Sequence, residues 1–185
     1  IDLSFTEPYF LDRNLSAGVD LFSRKQNQQD RRSFDEQAKG FSLRSRFPIT
    51  ENLKQGLSYT LRQDQIDNLD NDTSPFIRLD EGDYITSAVA YSLTYDTRDD
   101  IFLPSKGIII GGSQQFAGLG GAVRYVRSTA RWSFFHPITR DVVGNLSLTG
   151  GHIDGLNQDV RVLNRFFLGG DNFRGFAGGG VGPRD

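Results

Sequence analysis

Apolar and polar residues alternate one for one through most of this chain, in runs broken by polar or glycine-rich joints. Near 3–9, Leu3 and Phe5 alternate with Ser4 and Thr6; near 15–24, Leu15, Ala17, Val19 and Leu21 alternate with Ser16, Gly18 and Asp20. Near 39–47, Phe41, Leu43 and Phe47 alternate with Ser42, Arg44 and Arg46; near 54–65, Leu57, Tyr59 and Leu61 alternate with Ser58, Thr60 and Arg62. Near 85–97, Val89, Tyr91, Leu93 and Tyr95 alternate with Ala90, Ser92, Thr94 and Asp96. A glycine-rich run near 107–117 is ambiguous. Near 123–136, Val126, Ala130, Trp132 and Phe134 alternate with Arg127, Thr129, Arg131 and Ser133; near 142–153, Leu146 and Leu148 alternate with Asn145, Ser147 and Thr149. Successive side chains on a strand point to opposite faces, so the pattern predicts about eight strands, each with one apolar and one polar face.

The lengths and joints carry this further. Many of the runs reach about ten residues, against roughly five or six for a globular strand, and a tilted strand needs about 9–11 to cross a bilayer. The joints near 10–14, 48–52 and 136–141 are short and that near 98–106 is middling, while 25–38 and 66–84 are long and polar. Short and long therefore alternate over the first four joints, as the two ends of an outer-membrane barrel require. The joint 117–122 is short where a long one is expected. Tyr9, Phe10, Phe47, Phe102, Phe134 and Phe135 stand beside the short joints, where aromatic rings form an interfacial girdle. The fold expected is all-β, an antiparallel transmembrane β-barrel. The competing architecture, a soluble β-sandwich, has no reason to sort its loops by side.

Composition adds exclusions. A length of 185 residues is one domain's worth. A net charge of −2 gives no ground for a nucleic-acid partner. Without cysteine there is no disulfide framework and no thiolate metal site. Methionine is absent too, and the chain is expected to be a piece of a longer one. No run approaches the roughly 18 apolar residues of a spanning helix, and a barrel wall would not show one. The polar face carries Asp20, Arg44, Arg46, Arg62, Asp96, Arg127 and Arg131, which in a barrel would line a watery lumen.

Catalytic chemistry finds little support. His136 and His152 sit at or near strand ends with no nucleophile spaced to them, and read as structural. The acidic run 67–73 lacks the glycine and terminal glutamate of a calcium loop. The glycines at 169–170 and 178–180 precede neither Lys-Ser/Thr nor a helix pattern, so they are not a phosphate loop. No catalytic residue, metal ligand or cofactor is expected.

Two stretches point to a family. Tyr95-Asp96-Thr97-Arg98-Asp99-Asp100-Ile101-Phe102-Leu103-Pro104-Ser105-Lys106-Gly107 reads as a strand end, a turn through Pro104, and a new strand after Gly107. Asp96, Arg98 and Asp100 share parity and could pair at the lumen rim. Phe166-Phe167-Leu168-Gly169-Gly170-Asp171-Asn172-Phe173-Arg174-Gly175-Phe176 combines paired aromatics, Gly169-Gly170 and an Arg-Gly-Phe triplet, with Gly182-Pro183 beyond it. With the opening Thr6-Glu7-Pro8-Tyr9-Phe10, these motifs span nearly the whole chain. In order and spacing they resemble the outer membrane protein assembly factor family (BamA type; bacterial surface antigen barrel domain).

The resemblance implies a barrel of roughly sixteen strands, preceded by periplasmic POTRA domains, in the bacterial outer membrane. Residues 1–160 would supply about eight of its strands, and 161–185 an extracellular loop folding back into the lumen through Arg174, Gly175 and Phe176. It implies assembly and insertion of other β-barrels. The partners would be unfolded outer-membrane clients, lipids and accessory assembly lipoproteins. Related secretion or autotransporter-assembly barrels are the alternative, and a passive porin would have no Arg-Gly-Phe loop. A lumenal Arg174 needs acidic partners. These are expected on strands beyond the chain, with Asp20 and Asp96 the weak local candidates. Gly175 would allow close approach to the wall or a positive φ.

Overall fold

The computed structural model describes residues 1–27, 35–67, 78, 80–167, 169 and 175. Among these residues are eight strands: β1 (Asp2–Glu7), β2 (Ser16–Asn27), β3 (Asp35–Pro48), β4 (Leu53–Asp67), β5 (Gly82–Asp96), β6 (Gly107–Ala117), β7 (Tyr125–Pro137) and β8 (Val143–Gly155). They form one antiparallel sheet in chain order, with β1 and β8 at its two edges. Such an up-and-down meander sends alternate joints to opposite ends. The joints β1–β2, β3–β4, β5–β6 and β7–β8 lie at one end, here the turn end; the others and the chain after β8 lie at the loop end.

The register keeps the two faces apart over the full width of the sheet. On one face Phe5 pairs with Val19, Val19 with Leu43, Leu43 with Tyr59, Tyr59 with Val89 and Val89 with Phe116. On the other, Ser4 pairs with Asp20, Asp20 with Ser42 and Ser42 with Thr60. Hydroxyls on neighbouring strands bond directly: Ser42 to Thr60 at 2.9 Å, Ser113 to Thr129 at 2.7 Å and Ser133 to Ser147 at 2.8 Å. A one-residue slip of any strand would exchange the faces, so the alternation itself pins the pairing. Leu3, Phe5, Leu57, Leu146 and Leu148 stand exposed on the apolar face, as they must where the solvent is lipid.

Four expectations change. The joint 25–38 is shorter than its polarity suggests, because β2 runs to Asn27 and β3 starts at Asp35. Beyond the bilayer a strand needs only its backbone ladder, and polar residues on both faces do not oppose it. The joint after β6 is short because β5 outruns β6: Ala88 is the last β5 residue that β6 reaches. The chain 118–122 bonds the rest of β5 instead, with Gly118 N–H donating to Ser87 O at 3.0 Å and Ala122 N–H to Ile85 O at 2.9 Å. Phe135 leaves the girdle, since it shares the polar face with Arg131 and Ser133 while Phe134 faces outward. The polar face, finally, is not watery throughout. Its loop end holds the buried cluster Ile66, Tyr84, Ala88, Ala117, Val123 and Tyr125, with Ile153 and Leu163 packed against it.

Candidate functional site

After β8 the chain turns back over the polar face instead of leading away from the sheet. A short 3-10 turn, Val162–Asn164, is the centre of this fold-back. Asp80, just before β5, receives it: one carboxylate oxygen accepts from Val162 N–H at 2.6 Å and the other from Arg161 at 3.2 Å. The Arg161 guanidinium also lies over the Tyr84 ring, 4.2 Å from its centroid. Leu163 enters the buried cluster, and Asn164 is buried where its side-chain oxygen accepts from Arg62 at 3.3 Å. Phe166 packs on Gly151 of β8 and beneath the Arg127 guanidinium, 4.3 Å away. A Cβ at position 151 would lie 2.5–3.0 Å from three atoms of that ring, so a side chain there would displace it.

Beneath the fold-back lies the pair Arg62–Asp64, with Nε to carboxylate at 2.8 Å. Asp64 is fully buried. Burying two charges costs several kcal/mol per ion unless each is paired and hydrogen-bonded. Here the compensation is partial. Asp64 Oδ1, Tyr84 OH, Thr86 Oγ1 and Asn164 Nδ2 are buried with no protein partner among the described residues. Asp64 faces Tyr84 across β4 and β5, and Thr86 faces Arg62. Three of the four residues thus neighbour one another on β4 and β5, and Asn164 belongs to the fold-back above Arg62.

The strand–turn motif Tyr95–Gly107 sits at the turn end. Asp96 and Arg98 pair through two bonds of 2.9 and 2.7 Å. Asp100 does not join them directly. Its Oδ1 accepts from the backbone N–H of Phe102 at 2.7 Å and of Leu103 at 2.8 Å. Asp99 accepts from the Ser105 hydroxyl and from the N–H groups of Ser105 and Lys106. These donors hold the Asp99 carboxyl far below its ordinary range, the Ser105 hydroxyl contributing most. The N–H groups of Leu103 and Phe102 lower that of Asp100. Pro104 lies inside this tied loop. Gly107 closes it at φ +114°, and a Cβ there would sit 2.5 Å from Thr97 O and 2.7 Å from Arg98 Cα. Both the backbone angle and the space demand glycine.

Of the fold-back motif, Gly169 and Gly175 are described, at φ +128° and +92°. At 175 the backbone angle by itself favours glycine, and no atom of the described residues lies within 4 Å of a Cβ there. Gly170, Arg174 and Phe176 lie outside the described residues, as does the acidic run beyond Asp67. The two local candidates for partnering Arg174 are already engaged: Asp20 by Arg44 and Ser4, Asp96 by Arg98. Among the described residues no group of three or more His, Asp or Glu is placed to hold a metal ion. Asp64 could have been found from its parity with Arg62. Asp80 and Asn164 lie in irregular chain, where no periodicity announces them.

The Omp85 superfamily domain matches residues 1–185, the whole chain. The chain belongs to the Omp85 superfamily. Within it, the chain is 30% identical over 185 residues to the outer membrane protein assembly factor BamA of Neorickettsia risticii, covering 99% of this chain and 25% of that protein. The BamA of Nitratidesulfovibrio vulgaris is also 30% identical, over 98% of this chain and 23% of its own length. The chain thus spans about a quarter of these Omp85 relatives. Its fold superposes on the crystal structure of BamA from Haemophilus ducreyi lacking POTRA domains 1–3, with a TM-score of 0.80 at 20% identity, covering 98% of this chain and 38% of that one. An eight-stranded open sheet is accordingly part of a transmembrane Omp85 barrel.

Proposed function

We propose that this chain is barrel wall and fold-back segment of a factor that assembles other β-barrels into the bacterial outer membrane. The reading is carried by the 30% identity, across 99% of the chain, to a protein named as an outer membrane protein assembly factor. The fold-back onto the polar face is in keeping with a lumen-filling loop rather than an open pore. The work asked of the protein is templating and insertion, without a catalytic residue or cofactor. A closed barrel has no free edge, so a seam that opens would offer a strand edge to an unfolded client by β-augmentation. Accessory assembly lipoproteins would act with it.

The test is protease protection of an unfolded client barrel, followed over time in liposomes holding the full-length protein with its accessory lipoproteins. Wild type should accelerate protection over empty liposomes, and Arg174→Ala should slow it. No acceleration would remove the assembly reading and favour a barrel that moves polypeptide across the membrane.

A further inference from the structure

The turn between β5 and β6 presents three consecutive apolar side chains to solvent: Ile101 is 65% exposed, Phe102 89% and Leu103 85%. None of the described residues covers them, yet their backbone is fixed. Arg98 Nη1 donates to Ile101 O at 3.2 Å, Asp100 accepts from the N–H groups of Phe102 and Leu103, and Asp99 ties down Ser105 and Lys106. A flexible loop could tuck three such side chains away; this one is prevented from doing so. Apolar side chains held outward in one conformation are a preorganised contact element.

What covers them is suggested by the rest of the rim. Every joint at the turn end carries at least one exposed large apolar residue, including Leu11, Ile49 and Ile138 besides the triad. A protein partner meets one sector of a rim, whereas the membrane surface meets all of it. The rim also continues the lipid-facing side of the sheet, which ends at this level with Phe47, Tyr95 and Phe134. Lys106 stands exposed just beyond the triad, its positive charge suited to a phosphate headgroup, while Arg98 is paired with Asp96. The two carboxylates of the turn are engaged with its own donors.

We propose that Ile101, Phe102 and Leu103 form a rigid wedge that enters the headgroup–acyl boundary of the phospholipid leaflet at the turn end. It anchors that rim of the barrel, and Asp99 and Asp100 hold it in the inserting conformation. The inference rests on the membrane-barrel reading and not on barrel assembly. It is tested without a client, so the two fail separately.

The chain has no cysteine, so F102C, with any cysteine elsewhere in the full-length protein replaced by serine, accepts a single environment-sensitive fluorophore. A matching D159C label, exposed after β8 at the opposite end of the sheet, serves as the water-facing control. In phosphatidylethanolamine–phosphatidylglycerol vesicles, the label at 102 should emit to the blue of the label at 159. It should be quenched by lipids bearing a nitroxide high on the acyl chain and escape aqueous iodide. Adding Asp100→Ala to F102C should cut the lipid quenching while the barrel stays folded on a heat-modifiability gel. Iodide quenching at 102 equal to that at 159 would overturn the proposal. So would protection from both quenchers, which would mean that protein covers the turn. Undiminished lipid quenching with Asp100→Ala would overturn the role given to the carboxylate.

Discussion

Arg44–Asp20 and Arg62–Asp64 are the same pair of residue types on the same face of one sheet, yet they do different work. Arg44 binds Asp20 through two nitrogens at 2.7 and 2.9 Å and also reaches Ser4 and Thr6. Its geometry is the richer of the two, but the side chains are 41% and 30% exposed. Arg62 makes a single 2.8 Å bond to an Asp64 that is 0% exposed, and supports Asn164 of the fold-back. Solvent reaches both partners of the first pair and would solvate either alone. In the second, Arg62 is itself 31% exposed and it is Asp64 that is sealed, where a lone carboxylate has no substitute. Burial, not hydrogen-bond count, therefore decides which pair holds structure.

The largest effect should come from Arg62→Ala. It strands the buried Asp64 carboxylate without its partner, and breaking a buried pair costs roughly 3–5 kcal/mol. A urea midpoint for the full-length protein, read by heat modifiability, should fall accordingly. A loss no greater than that of Arg44→Ala would break the comparison.

Asp80→Ala comes next. It leaves the Val162 N–H and Arg161 without their acceptor, a cost of about 1–3 kcal/mol. The effect should be local: amide exchange over 160–167 should rise while β2 and β3 stay protected. Arg98→Ala sharpens the scale from between, since Arg98 and Asp96 are 16% and 21% exposed. It should cost less than Arg62→Ala and more than Arg44→Ala, whose own loss should stay within about 1 kcal/mol. Raising salt should erase most of the Arg44 effect and leave that of Arg62, because only exposed pairs are screened.

The smallest effect is one of pH. Asp99 and Asp100 have depressed folded values, so their stabilisation is complete above the ordinary carboxylate pKa of about 3.9 and is lost as pH falls through the folded values. Exchange of the Phe102, Leu103, Ser105 and Lys106 amides, corrected for intrinsic rates, should hold steady from neutral pH to about pH 4 and rise only below. A rise already near pH 6 would mean that the two carboxylates do not secure the turn.

These contrasts mark what could be read along the chain. Alternation around Leu43, Tyr59 and Val89 identified strands and faces because the period of two is imposed by the backbone itself. Gly107 was legible because a turn through Pro104 must reverse into the next strand. Strand ends were harder: at Asn27 and Asp35 the apolar signal had stopped while the ladder continued, since backbone pairing outside lipid needs no greasy face. The short joint at 117–122 looked anomalous because its partner, the upper part of β5, is distant in sequence.

The sequence alone determined that these residues form an antiparallel sheet with one face for lipid, since a lipid-facing strand must alternate and a lumen must be polar. It also placed Asp96 with Arg98, two residues apart on one face. Only the tertiary structure decided that the loop end of the polar face holds a buried apolar cluster and that Asp64 is sealed there. It alone brought Asp80 and Asn164, 84 positions apart in number (164 − 80), to the same fold-back. The physical reason is that strand periodicity fixes which face a side chain takes, whereas burial depends on what the chain later lays over that face.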